Sequence, residues 1–164
     1  MNIVMHSYTF RTYPLEEAYR AAKEYGWAGI ELQPCHFDRE NIEAELPRCI
    51  DMGKPYGIPI LCVDFGGDFI NEDPSVVENA VKATEKTIEA CASHGVHLIN
   101  GGVGALSVHP TDYGQNGSAL AEEAHYDRAA EAFRHLGPFA ESQGVRIVFE
   151  IHMNTIHDTI ASTA

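Results

Sequence analysis

The chain has 164 residues, which is long enough for one domain with a hydrophobic core, and 45% of its residues are hydrophobic. Its formal net charge is −13 and its eleven lysine and arginine residues are scattered, so neither nucleic acid nor an anionic membrane is an expected partner. No segment approaches the roughly eighteen apolar residues of a membrane span.

Helix signals and short apolar segments alternate from the first residues onward. The segment MNIVMHSY predicts a first strand, and Pro14 followed by two acidic residues predicts the start of the first helix. A second helix is expected over about 39–56, with interruptions near Pro47 and Pro55. The dipeptide Asp73-Pro74 predicts the start of a third helix.

The same alternation continues to the end of the sequence. A fourth helix is expected from about residue 118 to 143, with a break at Gly137-Pro138, and Asp158-Thr159 is the expected cap of a fifth. Four helices end in a glycine suited to a left-handed C-cap: Gly26, Gly57, Gly95 and Gly144. The short β-branched strands that follow are typical of a parallel sheet buried on both faces.

Alternating strands and helices predict a parallel α/β sheet, either open and doubly wound or closed into a (β/α)8 TIM barrel. No glycine-rich phosphate turn follows the first strand, and polar residues recur where strands end; both observations favour the barrel. Since a barrel needs eight strands and usually about 250 residues, residues 1–164 are expected to be the N-terminal part of one barrel domain, with about four and a half βα units. A longer chain or a second chain would complete it.

Polar side chains at successive strand ends predict a site, because barrels gather their active-site groups at that edge. The residues expected to bind substrate are His6, Glu31, Asp64 and Asn100. The long glycine-rich segment NGGVGALSVHPTDYGQNG after the fourth strand is expected to be a binding loop or a lid.

The fifth strand ends in the candidate catalytic pair, Glu150 and His152. Residues two apart on a strand share a face, so both side chains are expected at the mouth of the barrel. A carboxylate beside an imidazole suits a divalent ion such as Mn²⁺, Mg²⁺, Co²⁺ or Zn²⁺, but two groups do not complete a metal site. The segment His157-Asp158 could add ligands, although Asp158 also fits a helix cap.

Two segments resemble the xylose isomerase-like TIM barrels, a superfamily that includes sugar-phosphate isomerases/epimerases and ketose 3-epimerases. Residues 26–31, GWAGIE, are similar to the signature of its second strand, and VRIVFEIH is similar to its fifth strand, whose closing glutamate is matched by Glu150. Residues 156–159 fall where that family begins its fifth helix. The resemblance covers the whole chain but only the first half of the family's barrel.

The resemblance implies a divalent ion, most readily Mn²⁺, held by Glu150 together with an aspartate, a histidine and a second glutamate from later strands. It also implies that Glu150 could move the substrate proton and that Glu31 organises the pocket mouth. His152 departs from the epimerase pattern; E-x-H is more similar to the metal-dependent C-glycoside deglycosidase subunits of this superfamily, in which a histidine near the metal acts as base and a smaller partner chain is required.

Three hypotheses follow. The first is a metal-dependent sugar isomerase or epimerase that abstracts a proton next to a carbonyl; the second is a C-glycoside deglycosidase subunit that cleaves a 3-keto-C-glycoside by metal-assisted elimination. The third is a non-catalytic half-barrel that binds a partner, because an open parallel sheet has an unpaired edge. A homo-oligomer or a complex with a smaller subunit is expected in each case. The charge of −13 argues against the abasic-DNA nucleases of the superfamily.

The four cysteines, Cys35, Cys49, Cys62 and Cys91, are widely spaced and form no C-x-x-C pair, which predicts reduced thiols and a cytoplasmic location. The N-terminus shows no basic region followed by a long apolar run, so no signal peptide is expected.

Overall fold

A single parallel sheet organises the protein, seen here in a computed structural model that describes residues 3–163. Its strands are β1 (Val4–His6), β2 (Gly29–Leu32), β3 (Ile60–Phe65), β4 (Leu98–Gly101) and β5 (Arg146–Phe149). They are ordered β1-β2-β3-β4-β5, each parallel to the next. Because right-handed crossovers between adjacent strands put every helix on the same face, the winding is that of a barrel and not of a doubly wound sheet. The predicted fold, a partial TIM barrel, is confirmed.

Five helices cover the outer face of the sheet. They are α1 (Leu15–Glu24), α2 (Ile42–Gly53), α3 (Pro74–Ser93), α4 (Glu123–Ser142) and α5 (Ile160–Thr163). The side chain of Asp73 accepts a hydrogen bond from the Ser75 backbone N–H and so caps α3 as predicted. No helix in residues 3–163 is long and apolar enough to cross a membrane.

Two predicted helix interruptions are wrong. Helix α2 continues through Pro47, with short 3-10 turns at Arg39–Asn41 and Lys54–Tyr56 on either side. Helix α4 continues through Gly137 and Pro138, both of which are exposed. Proline removes one N–H from the helix, and on the solvent side water can satisfy the carbonyl that loses its partner, so the helix can continue past it.

Glycine ends four of the helical segments as predicted. Gly26, Gly57, Gly95 and Gly144 all have φ near +70°, in the left-handed region that closes a helix. Each of them therefore turns the chain directly into the strand that follows.

The hydrophobic core lies between the sheet and its helices. Its fully buried side chains include, from the sheet, Ile30, Leu32, Val63 and Ile99 and, from the helices, Tyr19, Leu46, Ile88 and Leu136. The opposite sheet face carries the half-buried polar residues Glu31, Asp64 and Asn100. Strand β5 departs from the prediction of strands buried on both faces: in residues 3–163 it pairs only with β4, and Val148 and Phe149 are exposed.

Candidate active site

Several polar side chains on the inner face of the sheet contact the carboxylate of Glu31. The register places His6 of β1 opposite Glu31 of β2. Oε1 of Glu31 accepts hydrogen bonds from Nε2 of Gln33 at 2.9 Å and from Nδ2 of Asn100 at 3.1 Å, and Nε2 of His6 lies 3.7 Å from the same oxygen. Three predicted residues, His6, Glu31 and Asn100, are therefore brought together. Oε2 has no hydrogen-bond partner among residues 3–163 and so keeps its capacity to accept one.

We expect Glu31→Leu to disperse this group, because Gln33 and Asn100 would lose the acceptor that they share. Each lost hydrogen bond to a charged acceptor costs about 1.5–3 kcal/mol. The free energy of unfolding, measured by urea titration, should fall by about that amount. The control is Glu17→Leu, which removes a carboxylate from the outer surface of α1, where it pairs with Arg20. Equal stability of the Glu31 variant and the wild type would contradict the role of Glu31 as the shared acceptor.

Asp64 lies one strand further along and forms an ion pair with the guanidinium of Arg39, from the loop after β2. Its side chain is only 14% exposed. Burial raises the pKa of the Asp64 carboxyl to about 6, while Arg39 opposes the rise and the neighbouring Glu31 adds to it. Asp64 also lies next to the Glu31 group, because the register pairs it with Asn100 and a hydrogen bond from the Gln33 side chain lowers the pKa of its carboxyl.

Stability should depend on pH through Asp64. Because its folded pKa of about 6 lies above the ordinary value of 3.8, the unfolded chain releases this proton first as pH rises. The free energy of unfolding of the wild type, relative to Asp64→Asn, should therefore fall between about pH 4 and pH 6, by on the order of 2 kcal/mol. Urea titrations at several pH values measure it. If the difference between the two proteins is constant, or if Asp51→Asn on the outer surface shows the same trend, the assignment to Asp64 is wrong.

Cys62 lies beside Glu31 in the register but is not a nucleophile. Burial, and then the Glu31 carboxylate, raise the pKa of its thiol well above the usual range. The thiol therefore stays protonated near neutral pH. All four cysteines are free.

Glu150 is the first residue after β5, and its backbone is fixed on both sides. Its N–H donates to the Gly101 carbonyl at 3.1 Å, and its carbonyl accepts from Nε2 of His157 at 3.0 Å. The Glu150 side chain is exposed at the carboxyl edge of the sheet. No hydrogen bond or ion pair joins it to the Glu31 group within residues 3–163, so the structure places the two groups at the same edge without contact.

His152 does not continue the alternation of β5. Pairing with β4 ends at Glu150, and the His152 ring turns back so that Nδ1 lies 2.9 Å from the Met153 carbonyl. The rule that residues two apart share a face therefore applies only as far as Glu150. His152 lies beyond the strand and is exposed in the loop that follows. The expectation that both side chains extend from one strand is wrong for His152.

The loop after β4 packs against the loop after β5 through Asn116, a residue that the sequence reasoning missed. Its buried side-chain Oδ1 accepts from the N–H groups of Val108 and His109, and its Nδ2 donates to the His109 carbonyl and to Oδ1 of Asn154. Leu106 N–H also donates to the Asn154 carbonyl at 2.8 Å. The glycine-rich segment thus supports the chain around Glu150 and His152 from outside.

We expect Asn116→Ala to destabilise the protein by about 2 kcal/mol, because two backbone N–H groups and the Asn154 side chain lose their partner. Thermal unfolding of the variant measures the loss. The neighbouring Gln115→Ala is a matched control, since the Gln115 side chain is exposed and bonds only to Asp112. An equal effect of both substitutions would refute a specific role of Asn116.

His157 and Asp158 hold the β5 loop and are not arranged as ligands. His157 is 6% exposed and burial lowers its pKa, although the hydrogen bond that its Nε2 donates to the Glu150 carbonyl opposes this shift. Asp158 accepts from the hydroxyl of Ser118 at 2.5 Å. Of the predicted cap Asp158-Thr159, Thr159 is the residue that caps α5, because its Oγ1 accepts from the Ser162 N–H.

A divalent ion would find only part of its ligands here. Glu150 offers an exposed carboxylate, but residues 3–163 contain no group of three histidine, cysteine, aspartate or glutamate side chains that could hold a metal ion. Glu150 could therefore supply one ligand to a metal ion, but residues 3–163 do not form a metal site by themselves.

Comparisons with known proteins agree with the fold. The sequence profile of the family described as xylose isomerase-like TIM barrel matches residues 19–164. No curated protein matches the chain. Similar solved structures include a D-psicose 3-epimerase in the presence of D-fructose (21% identity, TM-score 0.64, 90% of this chain and 51% of that one). Others are a probable 3-DHS dehydratase from Bacillus anthracis (20%, 0.70, 99% and 57%) and a D-allulose 3-epimerase from Methylomonas sp. (16%, 0.72, 99% and 57%).

At these identities the solved structures show the fold alone, and the chain spans about half the length of the structures that it matches. The profile match, in contrast, covers most of the sequence, from the middle of α1 onward. The chain belongs to the xylose isomerase-like TIM barrel family.

Proposed function

We propose that the protein is a sugar isomerase or epimerase that removes a proton next to a carbonyl of a carbohydrate. The observation that carries the proposal is the meeting of His6, Glu31 and Asn100 at the edge where Glu150 follows β5. Family membership and the similarity to two ketose 3-epimerases support it. Residues 1–164 would be the N-terminal part of the complete barrel.

Each residue of the site has a proposed role. Glu150 would bind a divalent ion, Mn²⁺ in the first place and otherwise Mg²⁺, Co²⁺ or Zn²⁺, and its other ligands would come from outside residues 3–163. When bound, such an ion would polarise the substrate carbonyl. Glu150 or His152 would take the proton from the adjacent carbon. Oε2 of Glu31 would accept a sugar hydroxyl, and His6 and Asn100 would donate to the sugar.

A panel of ketoses tests the proposal. The protein is treated with a chelator and assayed for epimer or aldose formation, with and without added Mn²⁺. Metal-dependent conversion of at least one ketose is expected. Conversion that is unaffected by the chelator, or no conversion of any ketose, would count against it.

Elimination is a second candidate, favoured by the exposed His152 two residues after Glu150 and by the similarity to a probable dehydratase. The same proton removal would then be followed by loss of the aromatic carbon of a 3-keto-C-glycoside. Release of the aromatic aglycone, together with dependence on a second subunit, distinguishes this reaction from epimerisation.

The exposed β5 edge supports the proposal that another segment completes the barrel, either later residues of a longer chain or a second chain. Val148, Phe149, Ile151 and Met153 are each at least 40% exposed along it. Such an edge is a template for pairing. A homo-oligomer or a complex with a smaller subunit is proposed as well, with or without catalysis, and sedimentation analysis tests this.

A cytoplasmic location is also proposed, and the free thiols are consistent with it.

A further inference from the structure

Cations are rare where the substrate would enter. Of the eleven lysine and arginine residues, Arg11 and Arg39 are the two that lie in the loops following strands β1 to β5 in the described part of the chain. Both belong to the first two loops. The other nine lie on helices, on the 3-10 turn Lys54–Tyr56 or at the start of β5. Two of them also reach loops at this edge, because Arg48 donates to the His36 carbonyl and Arg128 donates to the Ile70 carbonyl.

The guanidinium of Arg39 is held over the mouth by two features. Asp64, on the inner face of β3, accepts from its Nη2. Gly66 provides the space: a Cβ atom at this position would lie 2.7–2.9 Å from Nη1, Nη2 and Cζ of Arg39. A guanidinium has five N–H donors, and within residues 3–163 only Nη2 of Arg39 has a hydrogen-bond partner. With its side chain 41% exposed, Arg39 has donors left for a ligand.

Arg11 lies in the loop after β1, and its guanidinium carbon is 4.8 Å from the ring centroid of Tyr8, a cation–π contact. The Tyr8 ring contacts that of His6, which lies beside Glu31. Burial raises the pKa of the Cys35 thiol. Arg11 lowers this pKa and Asp64 raises it, so Cys35 lies close enough to both Arg11 and Asp64 to feel their charges.

We infer that Arg11 and Arg39 form an anion subsite for a carboxylate or phosphate group at the end of the substrate away from its reacting carbon. The subsite lies over β1 to β3, whereas Glu150 follows β5. Neighbouring strands are about 4.8 Å apart, so Asp64 and Glu150 are separated by roughly 10 Å along the sheet, a span that a five- or six-carbon sugar with two reaching side chains can cover. Asp64 balances the charge of Arg39, whereas Arg11 has no carboxylate partner among residues 3–163. In a chain of charge −13, Arg11 would therefore supply the attraction for an anionic sugar, and Arg39 would supply hydrogen-bond donors. The inference rests on the proposed function and narrows it to anionic carbohydrates.

Binding measurements test the subsite without relying on turnover. Titration calorimetry compares fructose 6-phosphate with fructose, and glucuronate with glucose. The wild type should bind at least one anionic sugar roughly tenfold more tightly than its neutral counterpart. A preference for the phosphate alone, for the carboxylate alone or for both identifies the group, and each of these results supports the subsite.

Three variants complete the test. Arg11→Gln, and the double variant Arg39→Gln with Asp64→Asn, which leaves no unpaired buried carboxylate, should each reduce the preference to about threefold or less. Arg20→Gln removes a cation from the outer surface of α1 and should leave the preference intact. Equal binding of charged and neutral sugars by the wild type, or an equal loss in the Arg20 variant, would overturn the inference. Tight anion binding without any sugar turnover would instead reject the proposed function alone.

Discussion

Glu150→Gln is expected to lower kcat for sugar interconversion by at least about a thousandfold. The substitution keeps the size of the side chain but replaces a carboxylate, which can bind a cation and accept a proton, with a neutral amide. The fold should be unaffected, because the Glu150 side chain is exposed and its backbone contacts with Gly101 and His157 remain. Steady-state assays, with thermal unfolding as a check on structure, measure both effects.

The control for this variant is Glu141→Gln, on the exposed face of α4. It makes the same chemical change far from the carboxyl edge of the sheet and should have wild-type kinetics. Full activity of Glu150→Gln would remove Glu150 from the mechanism, and an equal loss in both variants would point to a general effect of charge.

His152→Gln is expected to produce the second largest loss, about a hundredfold in kcat with little change in KM. A positioned acid or base contributes typically 10²–10⁴-fold, and glutamine retains hydrogen bonding but cannot take a proton. The His152 ring is exposed, and its Nδ1 lies 2.9 Å from the Met153 carbonyl, which leaves Nε2 as the nitrogen that would face a substrate at Glu150.

His135→Gln is the matched control, because His135 pairs with Glu85 on the outer helices. If His152→Gln loses activity on ketoses only slightly but loses aglycone release from a 3-keto-C-glycoside strongly, elimination replaces epimerisation as the preferred reaction. Wild-type rates on both substrates would show that His152 has no part in catalysis.

The order of elements could be predicted because it depends on local chemistry. A glycine in the left-handed region directly before an apolar strand, such as Gly144 before Val145, indicates where a helix ends. Asp73-Pro74, an N-cap residue followed by a proline, indicates where a helix starts. The break predicted at Pro138 is wrong because its cost depends on which side of the helix faces water, and this becomes known only when α4 packs on the sheet.

The strand-end residues of the site could also be predicted, but their partners could not. Glu31 and Asn100 follow from the period of two and from the parallel sheet. Arg39 precedes Asp64 by 25 residues, and its role depends on the space left by Gly66. In the sequence, Asn116 is one polar residue in a long loop and has no feature that sets it apart. Its four hydrogen bonds, one of them to Asn154, form only in the folded loop and therefore could not be predicted.

Exchange of solvent deuterium into the sugar tests the central claim most directly, since it detects proton removal even when no net product accumulates. The protein is incubated with Mn²⁺ and a ketose in D2O, and the label at the carbon next to the carbonyl is followed by NMR. We predict incorporation that depends on both the metal ion and Glu150. No incorporation by the wild type, or equal incorporation by Glu150→Gln, would contradict proton abstraction at this site.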